Sequence, residues 1–251
     1  MKAILSIGLA AALLFTATGP AAAQSEAQAI VDKAVAAHGG DKVAKLQIMQ
    51  VKARGKLNIP NLGEAEFEFE THWQVPGQYK SVWRTQLKNQ VVNQTVWVNR
   101  KRGWKSAGGA PQEIPDANFK ELKEQMHADA LEKIIPLTSK SLTLRPLGTS
   151  QDPRLPGQTL VGVLVKADNH REVRMYFDNQ TGLLAKRENT VIDISSHNEA
   201  RQEIIYSGHK EFDGVKLWTK FVIYRDAQRF METDITDVKF FDALPDALFE
   251  P

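Results

Sequence analysis

A strict alternation of apolar and polar residues runs from residue 49 to residue 88 and constrains the fold more than any other feature. Successive side chains of a β-strand point to opposite faces of the sheet, so a period of two predicts strands with one buried and one wet face. Turn residues at 60–63 and 76–77 divide the segment into three strands. The pattern is clearest in the second strand, whose apolar face holds Ala65, Phe67, Phe69, Thr71 and Trp73.

The wet face of the second strand is acidic and that of the third is basic. Opposite charges on neighbouring strands help to set the register, by a few tenths to about 1 kcal/mol per pair. We interpret the glutamates as a solvated face paired with its neighbour, and a cation-binding strip is the alternative. The glutamates are Glu64, Glu66, Glu68 and Glu70, and the basic residues are Lys80, Arg84 and Lys88.

Further strand signals lie on both sides of one helical segment. A fourth strand is predicted at 91–99 and a short fifth strand begins at Trp104. Short loops at 168–170, 178–182 and 212–214 require antiparallel pairing, and strands do not alternate with helices as a parallel sheet would need. The later strands are predicted at 140–147, 158–168, 171–178, 183–194, 201–210, 215–225 and 229–241, which makes about twelve in all.

Amphipathic helices are predicted at 25–38 and 117–133, where apolar residues recur at helical spacing. Gly39 and Gly40 end the first helix, and Asp116 is placed to cap the second. Shorter helical segments are expected at 41–46 and 244–249. Because an open sheet of this size curls or closes, the predicted fold class is mainly β (α+β), a large curled antiparallel sheet or half-open β-barrel with two or three covering helices.

The N-terminus has the layout of a secretion signal. Lys2 precedes an apolar run at 3–15, and small residues at 21–23 follow Gly19-Pro20. We therefore predict a signal peptide at 1–23, cleaved between Ala23 and Gln24, and a single mature domain at 24–251. An uncleaved membrane anchor is the alternative, although the apolar run is shorter than a spanning helix needs. No second apolar stretch approaches that length, so no transmembrane segment is expected in the mature chain.

Composition excludes several classes of protein. The chain has no cysteine, so it forms no disulfide or thiolate metal site and carries no lipid on an N-terminal cysteine. Its formal net charge is +2, and Lys2 is the only charged residue among the first 23, so the mature chain carries +1. That near balance argues against nucleic acid as a partner.

No catalytic, cofactor or metal motif is present. The six histidines lack metal-ligand spacing, and most of them, including His38, His72 and His170, are expected to be solvated or hydrogen-bonded at the surface. The nucleophile elbow and the glycine patterns that bind nucleotides are absent. Ser207 and His209, with Gly208 between them, lie in a predicted strand and match no recognised catalytic motif. We therefore predict no enzyme, no cofactor and no metal.

Large apolar side chains gather on the inward face of the sheet and on the second helix. In one interpretation they simply fill a core, because the inward face of a strand must be buried. In the other, the broad sheet leaves a cavity that takes an acyl chain or another apolar ligand. The residues that we predict to line such a cavity, by apolar contact, are Phe67, Phe69, Trp73, Trp83, Phe119, Met126 and Phe221.

Four segments, in this order, resemble one known superfamily: 37–47 after the first helix, 176–184, 211–218 and 241–249. Together they resemble the periplasmic carriers that sort outer-membrane lipoproteins, the LolA-like and LolB-like proteins, over nearly the whole mature chain. The resemblance implies an unclosed antiparallel barrel with helices over its mouth and a hydrophobic cavity that shields acyl chains. The superfamily's cavity arginine has no counterpart among the inward positions, because Arg54 falls in the outward register with Lys52 and Lys56. The cysteine of the membrane-anchored relatives is missing.

The resemblance and the pattern together predict a soluble periplasmic carrier or sensor that binds a lipid or an acylated protein, with a membrane-associated protein as a possible partner. The first alternative is a non-catalytic interaction module with a filled core, which binds through a sheet edge or the loop at 108–115. The second is a periplasmic hydrolase with an unusual site, which requires histidine and carboxylate groups that converge in a cleft.

Overall fold

The computed structural model describes residues 20–59, 62–193 and 198–251. Most of the predicted signal peptide, residues 1–19, lies outside these ranges. The α-helices are α1 (Pro20–His38) and α2 (Asp116–Leu131), and short 3-10 helices follow at Gly40–Gln47, Ile135–Thr138 and Asp246–Phe249. No helix in these ranges is both long and apolar enough to cross a membrane.

Strands account for most of the remaining described chain. Those of the first half are β1 (Ile48–Ile59), β2 (Gly63–Gln74), β3 (Gln78–Leu87), β4 (Gln90–Val98), β5 (Gly103–Ser106) and β6 (Gln112–Glu113). Those of the second half are β7 (Thr143–Ser150), β8 (Leu160–Lys166), β9 (Val173–Asp178), β10 (Leu184–Ile192), β11 (Glu199–Ser207), β12 (Lys210–Phe212), β13 (Val215–Leu217), β14 (Lys220–Arg225) and β15 (Gln228–Phe240).

Thirteen of these strands form one antiparallel sheet in the order β6-β5-β4-β3-β2-β1-β15-β14-β11-β10-β9-β8-β7, and β12 and β13 make a separate hairpin. The sheet consists of two meanders, β1 to β6 and β7 to β15 without β12 and β13, which are joined where β1 pairs with β15. Its ends, β6 and β7, do not pair with each other among the described residues, so the sheet is curled and not closed. This confirms the predicted α+β class with a large curled antiparallel sheet.

Gly55 allows the two meanders to meet closely. A Cβ atom at this position would lie 1.9 Å from the carbonyl oxygen of Glu232 on β15 and 2.9 Å from the ring of Phe67. Any larger residue would therefore have to push β1 away from β15. The register between these strands also shifts between Lys52 and Ala53, a bulge that sharpens the local twist.

The core lies on the concave side of the sheet, under the helices. α1 buries Ala27, Val31 and Ala34 completely. Of the predicted stripe, Val31 and Ala34 are fully buried, and Ile30 and Val35 are partly buried against the same core. Phe177 and Leu184, on β9 and β10, belong to the same core cluster. The helices therefore cover the apolar face, as the alternation requires.

Some predicted element boundaries were wrong. The strand expected at 201–210 ends at Ser207, because Gly208 takes a positive φ of 65° and accepts a 2.6 Å hydrogen bond from the Thr219 hydroxyl. Thr219 also lies in the break between β13 and β14, which were predicted as one strand. Asp116 makes no capping hydrogen bond and is itself the first residue of α2.

The acidic face of β2 is flanked by basic residues on both sides. Glu68 lies opposite Arg84 of β3, as expected, and opposite Arg54 of β1 as well. The ion pairs of the row, however, are made with β1: Lys52 to Glu70 at 3.3 Å and Lys56 to Glu64 at 2.8 Å. Both pairs are exposed and screened by solvent, so their main effect is on register.

Candidate functional site

A partly enclosed apolar cavity of about 180 Å³ lies between the concave face of the sheet and the C-terminal end of α2. We call it the aromatic cavity. Residues of β1, β2, β3, β11, β14 and β15 form most of its lining, together with the segment that follows β13. The apolar lining residues are Met49, Val51, Phe69, Trp73, Tyr79, Trp83, Ile204, Tyr206, Leu217, Trp218, Phe221, Ile223, Met231 and Ile235.

A larger groove, of about 640 Å³, crosses the outer face of β1, β2 and β15. Charged side chains line most of it, including Arg54, which lies on this face as its register predicted. Two of these charges pair with each other, Arg229 with Glu232 at 2.7 Å. Because this groove is open and charged, we take the smaller aromatic cavity as the candidate site for an apolar ligand.

Four of the seven residues predicted from the sequence line the aromatic cavity: Phe69, Trp73, Trp83 and Phe221. Aromatic rings also contact one another in this region, at favourable centroid distances. The ring centroids of Phe69 and Trp83 are 4.7 Å apart, and those of Trp73 and Tyr79 are 4.6 Å apart. Tyr206 and Trp218 form a further pair at 4.8 Å.

The other three predicted residues lie outside the lining of the aromatic cavity. Phe67 packs beside it, with its ring 5.1 Å from that of Trp83. Phe119 lies over β5, where a Cβ at Gly103 would come within 2.9 Å of its ring. Met126 is buried in the core. The two α2 residues miss the cavity because only the last turn of the helix and the residues just after it reach the lining.

That end of α2 brings three charged residues into the lining: Asp129, Glu132 and Lys133. Arg187 of β10, only 1% exposed, joins the two carboxylates at 2.7 Å from Asp129 and 2.5 Å from Glu132. The hydroxyl of Tyr206 donates a further hydrogen bond to Glu132. Burial opposes the charge of Arg187, but Glu132 and the other neighbours raise its pKa above the ordinary value, so it stays charged.

Lys133 differs from its charged neighbours because it has no oxygen partner. Its side chain is 6% exposed, and among the described residues no carboxylate lies within ion-pair distance of its ammonium. The ammonium lies instead 5.4 Å from the ring centre of Trp73 and 5.9 Å from that of Trp218. Burial lowers the pKa of Lys133, with Glu132 and Asp129 acting in the opposite direction. Aromatic faces stabilise a cation in such a place.

A strained turn holds Lys133 in position. Ile134 has φ 65° and ψ −53°, and the amide of Ile135 donates a 2.7 Å hydrogen bond to the carbonyl of Lys133. This is a γ-turn of the rare kind with positive φ, and a β-branched residue adopts it only under constraint from its surroundings. The side chain of Ile134 is completely buried, which supplies that constraint.

The histidines form no metal site in the described part of the chain, where no group of three or more potential ligands converges. His38 is buried, contrary to its predicted surface position: its Nδ1 lies 2.8 Å from the Ala34 carbonyl, and its Nε2 accepts a hydrogen bond from the Leu184 amide. His127 and His170 stack at 3.9 Å, and His197 falls outside the described residues.

No protein-family model and no curated protein sequence matches this chain. Solved structures do. A LolA superfamily protein from Nitrosomonas europaea is similar with a TM-score of 0.57 at 12% identity, over 90% of this chain and 97% of its own. A DUF1329 family protein from Desulfovibrio piger is similar with a TM-score of 0.59 at 15% sequence identity, over 89% of this chain and 97% of its own. An outer-membrane lipoprotein-sorting domain from Vibrio parahaemolyticus is similar with a TM-score of 0.55 at 10% sequence identity, over 90% of this chain and 97% of its own.

Proposed function

The chain has the LolA-like fold, and from this fold and the aromatic cavity we propose that it is a periplasmic carrier or sensor of a lipid-like or acylated ligand. The protein would be exported by the predicted signal peptide and would act without catalysis. Its cargo would be a lipid or the acyl chain of an acylated protein, delivered to or received from a membrane-associated partner.

The observation that carries the proposal is an apolar, partly enclosed cavity between the curled sheet and the end of α2. Each buried methylene contributes about 0.8 kcal/mol, so an acyl segment of six methylenes would gain about 5 kcal/mol there. Such a gain is sufficient for reversible binding, which is what a carrier that must release its cargo needs.

The size of the cavity sets the mode of binding. Ligand sites usually measure about 300 Å³ or more, and the aromatic cavity, at about 180 Å³, would take only part of a long chain. The inward face of the sheet continues beyond the aromatic cavity. Thr85 lies two residues after Trp83 and so on the same face of β3, and its partner on β4 is Val92. Val92 is 37% exposed, so a longer chain could lie along this open face.

An interaction module with a filled core is the second candidate. Its binding surface would be the β6 edge, where Gln112 and Glu113 are both exposed. This edge strand has only two residues, which limits strand addition, and the opposite edge strand β7 carries Pro146 and a register shift that blunt it. The presence of a cavity between helix and sheet therefore favours the carrier.

Tryptophan quenching tests the proposal, because three of the five tryptophans line the cavity. The other two tryptophans, Trp97 and Trp104, are not part of the lining. They pair with each other across β4 and β5, and Trp97 also lies opposite Lys80 of β3 on the outer face. A neutral brominated acylglycerol should quench the wild type saturably, and a variant with Trp73, Trp83 and Trp218 changed to Phe should lose that quenching. Equal quenching in the double variant Trp97→Phe/Trp104→Phe and in the triple variant would overturn the proposal.

Native mass spectrometry of the mature protein, purified gently from the periplasm, identifies the cargo class. A co-purifying lipid or acylated peptide is the expected result. Trp83→Ala should lower both stability and binding of the acylglycerol, since Trp83 packs between Phe67 and Phe69 at the cavity. If neither changes, Trp83 has no role in ligand contact.

A further inference from the structure

We propose that the ligand of the aromatic cavity is an amphiphile with an oxyanionic head group, and that the Lys133 ammonium binds that head. This inference rests on the proposed function and adds the chemical class of the ligand. It starts from Lys133, the charged side chain of the cavity that has no oxygen partner among the residues that the structure describes.

The carboxylates nearest to Lys133 already have donors at short range. Arg187 contacts both Asp129 and Glu132, and Tyr206 donates a hydrogen bond to Glu132 as well. The two carboxylates therefore have hydrogen-bond donors other than Lys133. Arg187 offsets only one of their two negative charges, and Lys133 offsets the other from a longer distance. Among the described residues, however, no carboxylate oxygen lies within ion-pair distance of the Lys133 ammonium.

Burying an ammonium without an oxygen partner is costly. The faces of Trp73 and Trp218 offset part of the cost, since aromatic rings attract a desolvated cation. Aromatic rings can hold the ammonium in place but accept none of its hydrogen bonds as an oxygen does. An anionic oxygen that entered the cavity would supply that acceptor at short range, in surroundings where charged hydrogen bonds are strong.

The geometry of the cavity suits an amphiphile better than a free anion. Lys133 belongs to the segment from α2 that covers the cavity, while the rest of the lining is mainly aliphatic and aromatic. A head group at Lys133 would direct the attached chain along Trp73, Trp83 and Phe221. A small anion such as acetate or phosphate would gain the ion pair but none of the apolar contact, which grows with each methylene of the chain.

The test compares three probes that share one chain: dodecanoate, dodecyl phosphate and dodecanol, each titrated below its micelle concentration at pH 8 while tryptophan fluorescence is followed. We expect the wild type to prefer the anionic probes by about 10- to 100-fold, the range that a charged hydrogen bond provides. The ratio of dodecanoate to dodecyl phosphate then distinguishes a carboxylate head from a phosphate head. Acetate and inorganic phosphate, as competitors up to millimolar concentration, should not displace dodecanoate.

The variant Lys133→Met keeps the length of the side chain and removes the charge. Its preference for the anionic probes should fall to about onefold, while its affinity for dodecanol stays within threefold of the wild type. Lys140→Met, at an exposed position, should keep the full preference. A wild type without preference, or a preference that survives in Lys133→Met, would overturn the assignment. Displacement of dodecanoate by free phosphate would do so too, because the site would then bind an anion and not an amphiphile.

The outcome separates this inference from the proposed function. If no probe binds, the carrier proposal itself fails. If dodecanol and the anionic probes bind equally, the cavity takes apolar chains and Lys133 plays no part in choosing them. Should Lys133→Met not fold, the comparison of the three probes on the wild type still decides whether the ligand has an anionic head. Lys133→Gln, which also removes the charge, then replaces Lys133→Met in the test of the residue.

Discussion

The hydroxyl of Tyr206 donates a hydrogen bond to the carboxylate of Glu132, and this contact joins the floor of the aromatic cavity to the residue directly after α2. Tyr206 lies on β11, and Glu132 is held from its other side by Arg187 of β10. The covering segment is thus anchored to two neighbouring strands by buried polar contacts and not by apolar packing alone. Removal of either contact should loosen the cover of the cavity.

Replacing Tyr206 by Phe should lower the free energy of unfolding by about 1–3 kcal/mol, because Glu132 is buried and would lose one of its donors. Urea unfolding followed by circular dichroism measures the loss. Tyr176→Phe is the matched control, since the Tyr176 hydroxyl makes no hydrogen bond within the described residues. Equal losses in the two variants would show that the Glu132 contact contributes nothing.

Replacing Arg187 by Met should be more costly, at about 3–5 kcal/mol, because it leaves Asp129 and Glu132 without their cation. The control is Arg201→Met, whose side chain is 63% exposed and whose ion pairs to Glu188 and Glu203 should be worth less than about 1 kcal/mol. The same urea titration applies. A loss below 1 kcal/mol for Arg187→Met would contradict the anchoring role.

Gly55→Ala should destabilise the protein by about 2 kcal/mol or more, because its methyl group would overlap the Glu232 carbonyl at the seam between the meanders. Gly109→Ala is a suitable control, since nothing lies within 4 Å of a Cβ there and its φ is not positive. Thermal unfolding compares the two. If both variants melt with the wild type, β1 and β15 are not as close as described.

Buried His38 predicts a loss of stability in mild acid. Burial lowers its pKa to about 4 from an ordinary value of 6.5, with His209 and Lys216 acting in the same direction and the Ala34 carbonyl opposing them. Between those two values the unfolded chain binds the proton and the folded chain does not, so stability rises with pH from about 4 to 6.5. The full contribution, about 3 kcal/mol, is present above pH 6.5 and is lost as the pH falls toward 4.

The measurement is the free energy of unfolding in urea at pH 4.5, 5.5, 6.5 and 7.5 for the wild type and for His38→Gln, whose amide cannot titrate. The slope of the wild type between pH 4.5 and 6.5 should be reduced in the variant. Identical slopes would assign the acid sensitivity to other groups. Half-buried His127, whose pKa is also lowered by desolvation to about 4, is the first to consider.

Much of the fold could be predicted from the sequence because a period of two is visible without knowledge of tertiary contacts. The alternation from Met49 to Leu87 placed β1, β2 and β3 to within two residues, and Trp73 and Trp83 on the inward face. The charged cover of the cavity could not be predicted in this way. Glu132 and Lys133 at the end of a helix resemble ordinary solvated residues, and the pair of Asp129 with Arg187 spans 58 residues of sequence.

The same reasoning explains the errors at His38 and around Gly208. A histidine before two glycines fits a surface helix end, and only the packing of α1 against β10 gives it buried partners. The break after Ser207 depends on a hydrogen bond from Thr219, which closes a loop around the β12–β13 hairpin. Local patterns do not encode such contacts between distant positions.

The pairing of β1 with β15 has a consequence for when the protein can fold. Met49 lies opposite Phe240, so the earliest strand of the chain completes its ladder only with the latest one. Closing so long a loop is entropically slow, and no shorter segment can supply the missing edge. A chain that emerges gradually from a ribosome or a translocation pore therefore stays unfinished until its last strand is free. If the chain is exported as we propose, this delay would keep the polypeptide in a state that can still be threaded through a membrane.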